Sequence, residues 1–248
     1  MVRVIRWVVD LGWVDILLDI ALMYTYLAFP RRGYLEQIFH VFGYIKAKQR
    51  RKLCFDHQHL RIDEHLFAAN IWYELYWDAK EAMSADTPTP RGDVVSTNYF
   101  VDADHAGYRA TRRSQTGVII FVNKATILCY SKQHNTVETS KLSSEFIYLK
   151  TVTELFKALQ YKLRMFGIPI EVPTNMLCNN ESVYKNVSTP DSTLKKKNVS
   201  IFYHRCREAV AAKVSRKSKE GTATNLADMF TNILIQIRRE TLLDKFTY

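Results

Sequence analysis

The stretch that decides the fold runs from Tyr99 to Gly117, YFVDADHAGYRATRRSQTG. An apolar run (Tyr99, Phe100, Val101) leads into Asp102 and Asp104, which alternate with Ala103, and Ala106-Gly107 supplies a turn. Arg109, Arg112 and Arg113 follow, and Thr116 to Val122 is a second apolar run rich in β-branched residues. The pattern predicts a hairpin whose first strand carries carboxylates near its end. Carboxylates projecting from a sheet into a cleft can hold a hard divalent cation, and basic residues beside them suit a phosphate backbone. A solvated strand edge would give the same Asp-x-Asp, so the flanking sequence has to separate the two.

Downstream, the β-rich runs Val94 to Asp102, Thr116 to Val122 and Thr126 to Ser131, with a turn at Asn123-Lys124, predict a meander. Ser143 to Phe166 has helical periodicity (Phe146, Leu149, Val152, Leu155, Leu159, Leu163, Phe166) and stops at Gly167 and Pro169. A strand at Asn175 to Cys178, a short helix near Ser182 to Val187, a helix at Val199 to Ala212, a strand at Val214 to Lys219 and a last helix at Asn225 to Leu243 complete the pattern. Hairpin strands followed by strands alternating with helices specify an α/β domain with a mixed sheet.

Upstream, residues 1 to 83 read as mostly helical. Leu35, Ile38, Phe39, Phe42 and Ile45 make an apolar stripe over Gly33 to Lys46, and Ile16 to Phe29 forms a second helix stopped by Pro30. The basic run Lys46 to Lys52 reads as a solvated helix end. Ser84 to Asp93, SADTPTPRGD, is the best boundary, dividing a helical connector (1–93) from the α/β domain (94–248).

The 248 residues are 47% hydrophobic, the balance of a packed core, and the net charge of +10 favours an anionic partner such as nucleic acid. The four cysteines (Cys54, Cys129, Cys178, Cys206) show no CxxC spacing, which argues against a zinc site or a disulfide framework. Free thiols and no evident signal peptide fit an intracellular setting, cytoplasmic or nuclear. The longest uncharged run, Ile20 to Pro30, is too short to span a bilayer, so no membrane role is expected.

Glu145, in the first turn of the long helix, and Asp228, after a possible N-cap at Asn225, each have a purely helical explanation when taken alone. Together with their neighbours they say more. VDADHAG (101–107), RRSQTG (112–117), YSK (130–132), NTVETS (135–140), SEF (144–146), NNE (179–181), STLKKK (192–197), YHRCREAVAA (203–212) and NLADMFTN (225–232) closely resemble the ribonuclease H domain of copia-type retrotransposon polyproteins. Residues 14 to 46 resemble the region connecting reverse transcriptase to that domain. The polymerase motif Tyr-x-Asp-Asp is absent, so polymerase activity is not assigned.

The resemblance implies a ribonuclease H-like mixed five-stranded sheet flanked by helices, and hydrolysis of the RNA strand of RNA–DNA hybrids. It implies two divalent ions, Mg²⁺ or Mn²⁺, about 4 Å apart, holding the attacking water and leaving oxygen in line. Carried over by position, the catalytic set is Asp102, Glu145, Asn179 and Asp228, with Asp102, Glu145 and Asp228 as metal ligands. The family has Asp where this chain has Asn179. Asn offers one neutral carbonyl oxygen in place of an anion, a poor substitute toward Mg²⁺. Cys129 stands where the family has Trp, and Asn232 where it has Lys, so the resemblance is to a degenerate copy with weak or absent activity. Asp104 is the secondary candidate ligand, and His105 and His204 read as structural.

The basic stretch Lys195 to Lys219 contains Lys195, Lys196, Lys197, Arg205 and Arg207, which are the expected phosphate contacts, with Tyr203 and His204 interleaved. The implied partners are an RNA–DNA hybrid or other nucleic acid and the missing reverse transcriptase portion. The alternative is a non-catalytic nucleic-acid-binding remnant.

Overall fold

The computed structural model describes residues 1–67, 71–72, 75–108, 111–138, 140–171, 173–194 and 199–248. The chain forms a five-stranded sheet in the order β3-β2-β1-β4-β5. The strands are β1 (Thr97–Asp104), β2 (Gln115–Val122), β3 (Ala125–Gln133), β4 (Thr174–Cys178) and β5 (Ser215–Lys219). β1, β2 and β3 make the antiparallel meander, whose tight turn places Asn123 at φ 54°, a left-handed conformation Asn tolerates. β4 runs parallel to both β1 and β5, so the sheet is mixed. This is the ribonuclease H-like architecture that the resemblance implies.

The central strand β1 is buried on both sides, and its side chains alternate between two cores. Tyr99, Val101 and Ala103 pack with Val118, Ile120 and Met176 against α4 (Lys141–Met165), α5 (Glu181–Ser188) and α6 (Ser200–Ala211). Phe100 packs with Ile119, Phe121 and Leu177 on the other face. That face is covered from both ends of the chain. Val2, Ile5 and Val9 of α1 (Val2–Asp10), Leu17 and Ile20 of α2 (Leu17–Tyr24) and Ile38 and Val41 of α3 (Arg32–Ala47) come from one end. Phe230, Phe246 and Leu242 and Leu243 of α7 (Gln236–Leu243) come from the other.

Two expectations are corrected. The N-terminal region is helical only to Ala47; after it, the described residues up to β1 hold a single 3-10 turn, Glu64–Leu66. Lys52 to Cys54 instead pair with the last residues: Lys52 N–H donates to the Tyr248 carbonyl, Tyr248 N–H returns the bond at 3.0 Å, and Cys54 N–H donates to Phe246. The last helix is also broken. A 3-10 turn, Leu226–Phe230, is followed by extended chain before α7 starts at Gln236. Thr231 spends its hydroxyl on Asp102, and β-branched Ile233 and Ile235 disfavour helix, which is the physical reason for the interruption. No described helix is long and apolar enough to cross a membrane.

Candidate active site

Asp102, near the end of β1, lies opposite Gly117 of β2. A β-carbon at Gly117 would stand 2.7 Å from the Ala227 carbonyl oxygen and 2.8 Å from Phe230 Cβ, so only glycine lets the 226–230 turn lie directly on the sheet. Asn225 fixes that turn. Its Oδ1 accepts from Ala227 N–H at 3.1 Å, capping the turn as expected, while its Nδ2 donates to the Val101 carbonyl at 3.0 Å. The Thr231 hydroxyl, delivered by the same turn, donates to Asp102 Oδ2.

Asn179 follows the last residue of β4, where Cys178 is in parallel register with Val101. Its Nδ2 donates to Asp102 Oδ1 at 2.7 Å. Asn232 Nδ2 donates to Asp228 Oδ1 at 2.7 Å and reaches Asp102 Oδ2 at 3.5 Å. The other oxygen of Asp228, Oδ2, lies 2.5 Å from the Arg238 guanidinium. Asp102, Asn179 and Asp228 therefore share one hydrogen-bonded cluster.

Glu145 enters from α4. That helix starts at Lys141, two residues earlier than expected, with Ser140 as its cap, so Glu145 stands in the second turn rather than the first and gains less from the helix dipole. Its Oε1 accepts from Asn180 Nδ2 at 2.7 Å, while Asn180 Oδ1 caps α5 by accepting from Val183 N–H at 3.2 Å. Glu145 Oε2 is buried without a hydrogen-bond partner of good geometry among the described residues. Asp104 turns away. Its carboxylate covers Gly107, lying 1.4 Å from where a β-carbon would stand. His105 bonds Ser144 Oγ at 2.9 Å.

Asp102, Glu145 and Asp228 are only 2%, 1% and 4% exposed, and burial dominates the electrostatics of Asp102 and Glu145. Desolvation raises the Asp102 pKa, and the Thr231 hydroxyl and Asn179 amide oppose that rise while the Asp228 charge adds to it. Desolvation likewise raises Glu145, opposed by the nearby Tyr148 hydroxyl and Asn180, with the Asp102 charge adding to it. Both oxygens of Asp102 accept hydrogen bonds within the chain and Asp228 Oδ1 accepts one from Asn232, while Asp228 Oδ2 is met by the charge of Arg238 without a hydrogen bond. Among the described residues no group of three or more His, Cys, Asp or Glu side chains is arranged to hold a metal ion. The residues present do not fit a pair of divalent cations. The centre is instead a carboxylate cluster met by amides, a hydroxyl and one guanidinium, with Glu145 Oε2 and Asp228 Oδ2 left without a hydrogen bond among the described residues.

Of the expected phosphate contacts, Lys195, Lys196 and Lys197 lie outside the described residues. Arg205 is at the surface, paired with Glu208 at 3.2 Å. Arg207 is a correction, because it is buried. Its guanidinium donates to the carbonyls of Asn186 (2.9 Å), Thr189 (2.8 Å) and Pro190, and lies 4.8 Å from the rings of both Trp72 and Tyr203. A guanidinium so enclosed has no face left for phosphate. Lys217, from the same basic stretch, is buried too.

The donors Asn180, Thr231 and Arg238 were not singled out in the sequence. Asn180 and Thr231 lie inside the quoted NNE and NLADMFTN motifs, next to the carboxylate positions. Arg238 has no such signal, because only the helix break after Phe230 turns it back toward Asp228.

No protein-family model matches the chain. It is 25% identical over 144 residues to the Retrovirus-related Pol polyprotein from transposon RE1 of Arabidopsis thaliana, and 24% identical over 147 residues to that from transposon RE2. The matches take in 58% and 59% of this chain but span only about a tenth of each relative's length. The resemblance to a retrotransposon polyprotein segment is borne out by these relatives. Among solved structures, LC11-RNase H1 in complex with RNA/DNA hybrid is 16% identical, with 55% of this chain and 94% of that one covered and a TM-score of 0.44. RNase H1 from Halobacterium salinarum is 15% identical, with 55% and 95% covered and a TM-score of 0.41. Likeness at that level carries no argument beyond the sheet order and register described above.

Proposed function

We propose that this ribonuclease H-like domain of a retrotransposon polyprotein engages RNA–DNA hybrid, and that hydrolysis of the RNA strand is impaired by Asn179. The observation that carries the reading is the 2.7 Å bond from the Asn179 amide to Asp102 Oδ1. At a position where the family resemblance calls for an anion, this chain presents a donor, and the donor consumes the neighbouring carboxylate. Asp102 is thereby held by hydrogen bonds rather than left free to gather positive charge at a phosphate. Divalent cation dependence, Mg²⁺ or Mn²⁺, belongs to the repaired centre rather than to the chain as it stands. The reverse transcriptase portion of such a polyprotein is the proposed protein partner.

The test is hybrid cleavage by the purified chain in Mg²⁺ and in Mn²⁺. The unmodified protein is expected to show little or none. Asn179→Asp should raise the rate by about 10²–10³, the scale of one preorganised electrostatic group, and adding Asp102→Asn should abolish the gain. Strong cleavage by the unmodified chain would overturn the reading. A second reading, a non-catalytic hybrid-binding remnant, is favoured by the guanidinium already seated on Asp228. It is distinguished by salt-dependent hybrid binding that persists while Asn179→Asp gives no cleavage.

A further inference from the structure

We propose that Arg238 is the resident counter-cation of the carboxylate centre, and that its guanidinium keeps divalent cations off Asp228. The proposal rests on reading these carboxylates as the centre of a ribonuclease H-like domain. Arg238 stands in the first turn of α7, the positive end of the helix dipole, where a cation is disfavoured unless an anion faces it. That turn contains no acidic residue of its own. The anion is Asp228, supplied by the 3-10 turn on the far side of the helix break, 2.5 Å away.

The contact is anchored at more than one point. Arg238 Nη2 also donates to the Thr222 carbonyl at 2.7 Å, so the guanidinium bridges the chain before and after the 226–230 turn. The Asp228 side chain keeps only 5% exposure beneath it, against 36% for Arg238. Asn232 takes the other oxygen of Asp228, which leaves a divalent cation to displace an amide and approach a fixed positive charge. Arginine does not lose its charge in the accessible pH range, so acidity or alkalinity cannot relieve the block. Asn179 accounts for Asp102, and Arg238 accounts for Asp228. Repair of Asn179 alone therefore leaves half of the centre closed.

The test uses Mn²⁺ alone as the probe, with the full chain and no nucleic acid. Calorimetric titration of the unmodified protein should show no saturable Mn²⁺ site at this centre. Arg238→Gln should tighten Mn²⁺ binding at least tenfold, and more when combined with Asn179→Asp. Arg238→Lys keeps the charge and should stay close to the unmodified protein. Equal Mn²⁺ affinity in the Gln variant and the unmodified chain would overturn the proposal, as would equal tightening by Lys and Gln. Should Arg238→Gln fail to fold, Asp228→Asn in the unmodified chain decides by the sign of its effect. Loss of the guanidinium's partner should lower the unfolding midpoint by a few degrees. A cluster of mutually repelling carboxylates without a counter-cation would be stabilised by the same change, and that result would sink the proposal. Neither measurement involves hybrid or cleavage, so failure here is distinct from failure of the proposed function.

Discussion

The two faces of the sheet are built from different distances along the chain. One is covered by α4, α5 and α6, which lie between or beside the strands they pack on. The other is covered by residues 1–47 and 226–246, brought together from opposite ends. The two faces also treat buried charge differently. At the edge of the second face Asp102 and Asp228 are met by Asn179, Thr231, Asn232 and Arg238. Within the first, Lys217 stands opposite Met176 with its Nζ buried and no hydrogen-bond partner among the described residues. Charge is met by partners at Asp102 and Asp228 and left without one at Lys217, so mutations at the two places should act in opposite senses.

The largest effect should come from stripping the second face. Removing residues 1–47 deletes Ile5, Leu17, Ile20, Ile38 and Val41, among other buried side chains. Each contributes about 1.5–3 kcal/mol, so their sum rivals the roughly 5–15 kcal/mol that holds a domain together. The shortened chain should lose cooperative urea unfolding and bind hydrophobic dye. If it unfolds in one sharp transition, the shared core is not a single cooperative unit, and a division near residue 93 becomes physical as well as compositional.

Next in size is Lys217→Met, which should stabilise by about 2 kcal/mol by removing an unpaired buried amine. Burial lowers the folded-state pKa of Lys217, with Cys206 and Cys178 opposing weakly. The unfolded chain then binds more protons between that lowered value and the unfolded one near 10.4. Stability should rise with pH across that interval, and the full penalty applies below it. Urea titrations at successive pH values should show the rise in the unmodified protein and its loss in the Met variant. An unchanged pH profile in Lys217→Met would mean the amine is not the cause.

The smallest effect concerns the outer side of α6. Arg205→Ala should flatten the salt dependence of hybrid binding by about one ion. Arg207→Lys should leave that slope alone while destabilising the fold, because Lys cannot reach several carbonyls with a planar fork. A changed slope for Arg207 would restore it to the nucleic-acid face.

Much of the first face was legible in the sequence because its signals are local. The period of Phe146, Leu149, Val152 and Leu159 marks α4, and the alternation around Asp102 marks β1. The second face was not, since nothing in a helical stripe such as Ile38 to Ile45 says which sheet it will meet. The site lies where both faces end, and its legibility divides the same way. Asp102, Asn179 and Asp228 stand in the quoted motifs and are found in one cluster. Arg238 belongs to no motif. Arg207 misled because charge composition does not distinguish a solvated guanidinium from one caged by carbonyls and rings.

The absence of a side chain at Gly117 also sets an order in time. Asp102 and Gly117 are close neighbours in a hairpin and meet early, because the loop between them is short. Asp228 reaches them only after more than a hundred intervening residues have been closed into a loop, when the turn that carries it packs over the bare backbone at Gly117. The hairpin can thus exist as a finished surface before its last charged partner arrives. Until then Asp102 lacks the Thr231 hydroxyl and the Asp228 charge that bear on its pKa in the folded chain. The carboxylate cluster is a late event in the life of each molecule, and the bare backbone at Gly117 is the landing place kept open for it.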